Sequence, residues 1–168
     1  VGINETRSGI ISVLKRMGAH IEFSNKKDYS GEPACDIYVK SSKLKATEIS
    51  GSEIPLLIDE IPIIALAAVY AEGETKIIDA EELRYKESDR ISLTVNWMKK
   101  AGAVVEELRD GIIITGNNNL SGGTFSSHGD HRLAMTLGIA SLVSKKKITV
   151  KNPEASNVSY PGFWDYLN

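Results

Sequence analysis

The strongest constraint on what this chain can fold into is that it repeats itself at about half its length. Arg7 to Phe23 reads RSGIISVLKRMGAHIEF, and Arg90 to Leu108 reads RISLTVNWMKKAGAVVEEL. Ile10, Leu14 and Met17 in the first segment recur at the spacing of one helix face, as do Ile91, Val95 and Met98 in the second. Both predicted helices end on Gly-Ala, at Gly18-Ala19 and Gly102-Ala103, where glycine suits the left-handed residue that closes a helix. A short strand follows each helix. A further strand then runs through Ile37-Tyr38-Val39 in one copy and Ile112 to Thr115 in the other.

The later part of each copy matches as well. Asp59 to Asp79 reads DEIPIIALAAVYAEGETKIID, and Asp130 to Asn152 reads DHRLAMTLGIASLVSKKKITVKN. Each opens on an acidic residue suited to capping a helix. Each continues into a helix that is apolar on nearly every side, which predicts burial, and then turns into a strand. The repeats cover approximately residues 1–80 and 81–155, and a third starts within 156–168, at SYPGFWDYLN. The fold class implied is α/β (α+β), with buried helices against sheets. Strands as close together as those near Ala103 and Ile112 read as hairpins, which argues against a simple doubly wound sheet. Gly116 to Gly123 (GNNNLSGG) reads as a solvated turn, and Lys145 to Lys147 as an exposed loop.

Composition narrows the function classes. The chain has 168 residues, enough for one domain or two small ones, and its 42% hydrophobic content supplies a core without staples. A net charge of -2 gives no reason to expect a nucleic acid or a membrane surface as partner. The lone cysteine, Cys35, excludes a disulfide framework and a metal site built of several cysteines, and points to a cytoplasmic setting. The richest apolar run, Ile61 to Ala71, is too short for a membrane span and contains Pro62. The chain opens at Val1 on what reads as the end of a strand, so a piece of something longer is expected.

Charge concentrates at three predicted helix starts. In Leu83 to Arg90 (LRYKESDR), Lys86, Glu87 and Arg90 share a face if the segment is helical. A carboxylate between two cations suits acid/base work beside an anion, although a solvated set of ion pairs accounts for the same residues. In Gly129 to Arg132 (GDHR), Asp130 suits a cap, His131 can exchange protons near neutral pH, and Arg132 offers a planar fork for a carboxylate or phosphate. In Ile58 to Pro62 (IDEIP), Asp59 stands where an N-cap is expected, with Pro62 tolerated in the first turn, and capping alone accounts for it. His20 and His128 have no partners at ligand spacing, and no nucleophile elbow, phosphate loop or metal motif occurs. Residue chemistry thus reaches a site for a small anion, without specifying a reaction.

Five segments, GEPACDIYV (31–39), LIDEIPIIALAAVYAEG (57–73), ELRYKESDRI (82–91), GDHRLAM (129–135) and SYPGFWDYL (159–167), resemble the 5-enolpyruvylshikimate-3-phosphate synthase family of enolpyruvyl transferases. They stand in that family's order, cover nearly the whole chain and match its carboxyl-terminal domain; KESDR with a downstream DHRLAM carries most of the specificity. The resemblance implies βαβαββ-type units with buried parallel helices surrounded by sheets. It implies a cleft site completed by an amino-terminal domain that is absent here. The implied reaction passes the enolpyruvyl group of phosphoenolpyruvate to the 5-hydroxyl of shikimate 3-phosphate, with release of phosphate and no metal or organic cofactor. By motif position, Asp59 matches the carboxylate that holds the shikimate hydroxyls, and Glu87 the proton-transfer carboxylate. Lys86 matches the lysine between the substrates, Arg90 and Arg132 the clamp on phosphoenolpyruvate, and His131 the histidine that supports Glu87. Glu82 stands where some members carry asparagine and Val158 where some carry lysine, so neither is assigned to the site. The rival readings are a transferase acting on UDP-N-acetylglucosamine and a non-catalytic binding domain of the same fold.

Overall fold

The computed structural model describes residues 1–116 and 119–167, and one order of elements runs through them twice. The first pass is helix α1 (Gly9–Arg16), strands β1 (His20–Tyr29), β2 (Glu32–Lys40) and β3 (Glu48–Ile49), helix α2 (Ile61–Val69) and strand β4 (Glu74–Ile77). The second is helix α3 (Arg90–Lys100), strands β5 (Val104–Leu108), β6 (Gly111–Thr115) and β7 (Gly123–Ser126), helix α4 (His131–Val143) and strand β8 (Ile148–Lys151). Gly18 and Gly102 close α1 and α3 at φ of +96° and +87°, as the Gly-Ala pairs predict.

Strand pairing repeats too. β1–β2 and β5–β6 are antiparallel hairpins, whereas β3–β4 and β7–β8 are parallel pairs, each joined across a buried helix. The passes are fused in a four-stranded sheet ordered β3-β4-β6-β5, in which β6 pairs antiparallel with β4, Ile77 opposite Ile112. A complete βαβαββ unit therefore runs from β3 to β6 and straddles residue 80. The sequence repeat shows the period of the fold, and the sheet shows where one unit closes. Backbones approach closely at this seam: a Cβ built on Gly111 would lie 1.8 Å from the Ile77 carbonyl oxygen.

α2, and α4 up to Ala140, are largely buried because neither has a polar face to turn outward, whereas Leu142 and Val143 at the end of α4 are exposed. Ile61, Ile64, Ala65, Leu66 and Val69 of α2 pack in one cluster with Leu137 and Ala140 of α4. Val13 and Met17 of α1 and Ile91, Val95 and Met98 of α3 close over them. Each large side chain fully withdrawn from water contributes about 1.5–3 kcal/mol. The turn expected over Gly116 to Gly123 is only partly solvated. Asn117 and Asn118 lie outside the described residues, but Leu120 is wholly buried in the core and Ser121 N–H donates to the Ala101 carbonyl. One apolar side chain in a polar run was enough to pin that connection. Lys145 to Lys147 are exposed, as expected. After β8 the chain forms two 3-10 turns, Pro153–Val158 and Phe163–Tyr166, the second seated against Gly138 of α4. Among the described residues no helix is long and apolar enough to cross a membrane.

Gly111→Ala should lower unfolding stability by at least about 2 kcal/mol, because the added methyl meets backbone that cannot step aside. Urea denaturation checks this, and a change within about 0.5 kcal/mol would contradict the described approach of β4 and β6.

Candidate functional site

Three segments converge: the 3-10 turn Ile58–Glu60 before α2, the stretch from Lys86 to Asp89 before α3, and the first turn of α4. Their meeting point is Arg90, the first residue of α3, whose guanidinium is 1% exposed. Arg90 Nε donates to Asp130 Oδ2 at 2.8 Å, Nη1 to Asp59 Oδ1 at 2.9 Å and Nη2 to Glu87 Oε2 at 2.6 Å. One cation thus holds a carboxylate from each segment. A buried guanidinium is tolerated only when paired in this way.

Asp130 is fully buried and does several jobs at once. Its Oδ1 accepts from the Arg132 and Leu133 amides and caps α4, as the sequence predicts. Its Oδ2 accepts from Arg90 Nε and from Ser88 Oγ, at 2.8 Å each. Burial by itself would raise the Asp130 pKa. Hydrogen bonds from Arg90 and Ser88, together with the charge on Arg90, outweigh burial and hold the carboxyl below the usual carboxylate range. Arg90 shows the converse: burial works against its charge, but Asp130 first, then Glu87 and Asp59, raise its pKa.

Two sequence expectations are corrected here. Asp59 does not cap α2. It lies inside the 3-10 turn, residue Glu60 takes the N-cap position without a side-chain bond, and the Asp59 carboxylate faces Arg90 and, at 3.4 Å, Arg132 Nη2. The pull of two guanidinium groups outweighs one amide bond. Nor do Lys86, Glu87 and Arg90 share a helix face. Asp89 caps α3 by accepting from Ser92 N–H, so the helix starts at Arg90 and Lys86 and Glu87 precede it in irregular backbone. Glu87 still reaches Arg90, but Lys86 turns back to Glu82, with Nζ to Oε1 at 2.5 Å.

Arg132 spreads its fork over Glu60 (3.1 Å) and Asp59 (3.4 Å), and its buried Nε has no partner among the described residues. His131 is the first residue of α4; among the described residues its side chain has no hydrogen bond or ion pair, to Glu87 or otherwise. Sequence reasoning passed over Ser88 and Arg84 and saw Asp130 only as a cap. Arg84 fixes the approach to the site by donating to Asp89, Glu107 and the carbonyls of Leu108 and Arg109. Its place in LRYKESDR was the available signal, but its partners on β5–β6 are distant in sequence.

The geometry thus gathers two guanidinium groups and the four carboxylates of Asp59, Glu60, Glu87 and Asp130 where the three segments meet. The family model for EPSP synthase (3-phosphoshikimate 1-carboxyvinyltransferase) matches residues 1–167. The chain belongs to the EPSP synthase family. Within the family, a 3-phosphoshikimate 1-carboxyvinyltransferase of Syntrophotalea carbinolica is 49% identical over 168 residues, covering 100% of this chain and 39% of that protein. The one from Desulforamulus reducens is 52% identical over 167 residues, covering 99% and 39%. The chain therefore spans 39% of the length of these curated relatives. Among solved structures, an EPSP synthase from Acinetobacter baumannii superposes with a TM-score of 0.93 at 40% identity, over 98% of this chain and 39% of that one. The enolpyruvyl transferase NikO from Streptomyces tendae gives 0.71 at 21% identity, over 95% and 34%, a likeness of fold. The α/β fold with buried helices against sheets is the fold of EPSP synthases.

Asp130→Asn should cost about 3–5 kcal/mol at neutral pH, since it leaves Arg90 short of a buried counter-charge. The folded-state pKa of Asp130 lies below its unfolded value of about 4, so its contribution is present above that pH and is lost as pH falls through the folded value. The gap between parent and variant should accordingly narrow in acid. Unfolding curves at about pH 7 and about pH 3 measure both effects, and a gap independent of pH would contradict the pairing.

Proposed function

We propose that the chain is the carboxyl-terminal domain of a 3-phosphoshikimate 1-carboxyvinyltransferase, spanning 1–168, and that it forms one wall of the active-site cleft. The parent enzyme would transfer the enolpyruvyl group of phosphoenolpyruvate to the 5-hydroxyl of shikimate 3-phosphate and release phosphate. The observation that carries this reading is the Arg90 cluster, in which KESDR, DHR and IDE meet at one guanidinium.

The cluster also accounts for why a second wall is needed. Asp59, Glu60, Glu82, Glu87 and Asp130 outnumber Lys86, Arg90 and Arg132, so this wall alone is a poor host for two phosphorylated anions. Most of the grip on the shikimate phosphate is assigned to the amino-terminal domain. Among the carboxylates on Arg90, Asp130 is fully buried whereas Glu87 is 52% exposed, so Glu87 is the one an incoming carboxylate displaces. Once displaced from the guanidinium, Glu87 takes up a proton from solvent and delivers it to the methylene of phosphoenolpyruvate while Arg90 and Arg132 hold the donor. Asp59 accepts the proton of the attacking hydroxyl. Lys86, released from Glu82, reaches between the substrates, and His131 supports Glu87 once the cleft closes. The intermediate is tetrahedral, with both oxygens on the former enol carbon; Glu87 then takes a proton back from the new methyl group as phosphate leaves, which restores the double bond.

Mixing the chain with the amino-terminal part of a family member, and measuring phosphate release from phosphoenolpyruvate, tests the assignment. Release is expected with shikimate 3-phosphate and not with UDP-N-acetylglucosamine, and none from the chain alone. Release with the UDP-sugar only would overturn the acceptor, and release by the chain alone would overturn the half-site. In the completed enzyme, Glu87→Gln should lower kcat by about 100-fold or more while KM changes only a few-fold. Equal, small effects on both would contradict its role.

A further inference from the structure

The two passes treat one corner of the fold differently. In the first, Arg16, the last residue of α1, closes the groove between that helix and β3. Its Nε donates to Thr47 Oγ1 at 2.8 Å, Nη2 donates to the Glu48 carbonyl at 2.8 Å, and both terminal nitrogens reach the Glu53 carboxylate at 3.0 Å. Glu53 is supplied by the 3-10 turn Gly51–Leu56, which follows β3 and packs on α1. In the second pass the connection from β7 to α4 is only Ser127 to Asp130, and no 3-10 turn is present in it. The groove between α3 and β7 is left open as a cavity of about 260 Å³.

Its lining is one-sided in charge. Lys100, the last residue of α3 and the counterpart of Arg16, stands there with Lys151 and His128, and no carboxylate lines the cavity. Among the described residues neither lysine has an ion pair. Leu93, Trp97 and Phe125, the two aromatic rings 6.0 Å apart, form the apolar part of the lining beside the polar Asn96, Thr124 and Ser126. None of these residues belongs to the Arg90 cluster.

We propose that this cavity binds a small organic anion with a flat apolar body, an aromatic carboxylate, whose carboxylate takes the place that Glu53 fills in the first pass. The cations hold the charge, and the ring lies on Trp97 and Phe125. Aromatic and aliphatic groups beside a cationic rim distinguish this chemistry from a site for inorganic phosphate alone. The proposal stands independently of the reaction assigned to the cleft.

Titrating the intact chain with benzoate, benzamide and inorganic phosphate tests it, read from the indole N–H resonance of Trp97, which is assigned by its loss in Trp97→Phe. Benzoate should shift this resonance saturably, with a Kd of about 1 mM or tighter, and the other two probes should bind at least about tenfold more weakly. Lys100→Glu and Lys151→Ala, both at exposed positions, should each weaken benzoate binding by about tenfold, whereas Lys15→Ala should not. Circular dichroism melts confirm that the variants fold, and Lys151→Ala carries the test if Lys100→Glu does not. No saturable shift, a shift unchanged in the folded lysine variants, or phosphate binding as tightly as benzoate would overturn the proposal.

Discussion

A guanidinium buried to 1% exposure governs the arrangement of this domain. Arg90 cannot keep its charge away from water unless counter-charges come to it, and leaving such a group unpaired costs several kcal/mol. The chain meets this demand with Asp59 from the first pass and Glu87 and Asp130 from the second. Segments far apart in sequence are thereby fixed at one point. The apolar helices α2 and α4 bring their starts near each other, but the ion pairs set which side chains face which. Asp130 extends the arrangement, since the same carboxylate that holds Arg90 also caps α4 and so orients Arg132.

The internal repeat supplies the scaffold, and departures from it supply the chemistry. Helix closure by glycine, parallel pairing across a buried helix and antiparallel hairpins occur in both passes. The connections differ. After β3 a 3-10 turn brings Glu53 to Arg16, whereas after β7 the chain passes almost directly into the Asp130 cap. A shared frame with unequal connections gives one paired corner and one open, cationic one. The Arg90 cluster is equally asymmetric: its cation comes from the second pass, and one of its anions from the first.

Much of the frame was legible in the sequence because it rests on local or periodic signals. Helices without a polar face have to be buried, Gly18 and Gly102 mark helix ends, and Asp130 caps the helix it precedes. What was misread depends on partners distant in the chain. Asp59 has the position of a cap, and only the approach of Arg90 and Arg132 takes its carboxylate elsewhere. Spacing put Lys86 and Glu87 on a helix that the Asp89 cap delays until Arg90. Leu120, one apolar residue in a run of Asn, Ser and Gly, gave a periodicity analysis nothing to count, yet it is buried. The family resemblance directed attention to Asp59, but it could not show that Arg90 is already surrounded by carboxylates.

The central claim is that Arg90 energetically joins the two passes, and a double-mutant cycle between Arg90 and Asp59 tests it most directly. Arg90→Gln, Asp59→Asn and the pair would be compared with the parent by urea unfolding at neutral pH. Contact between a buried guanidinium and a carboxylate 2.9 Å away predicts a coupling energy of at least about 1 kcal/mol. Additivity within about 0.3–0.5 kcal/mol would mean that the two groups do not depend on each other, and would contradict the joined site.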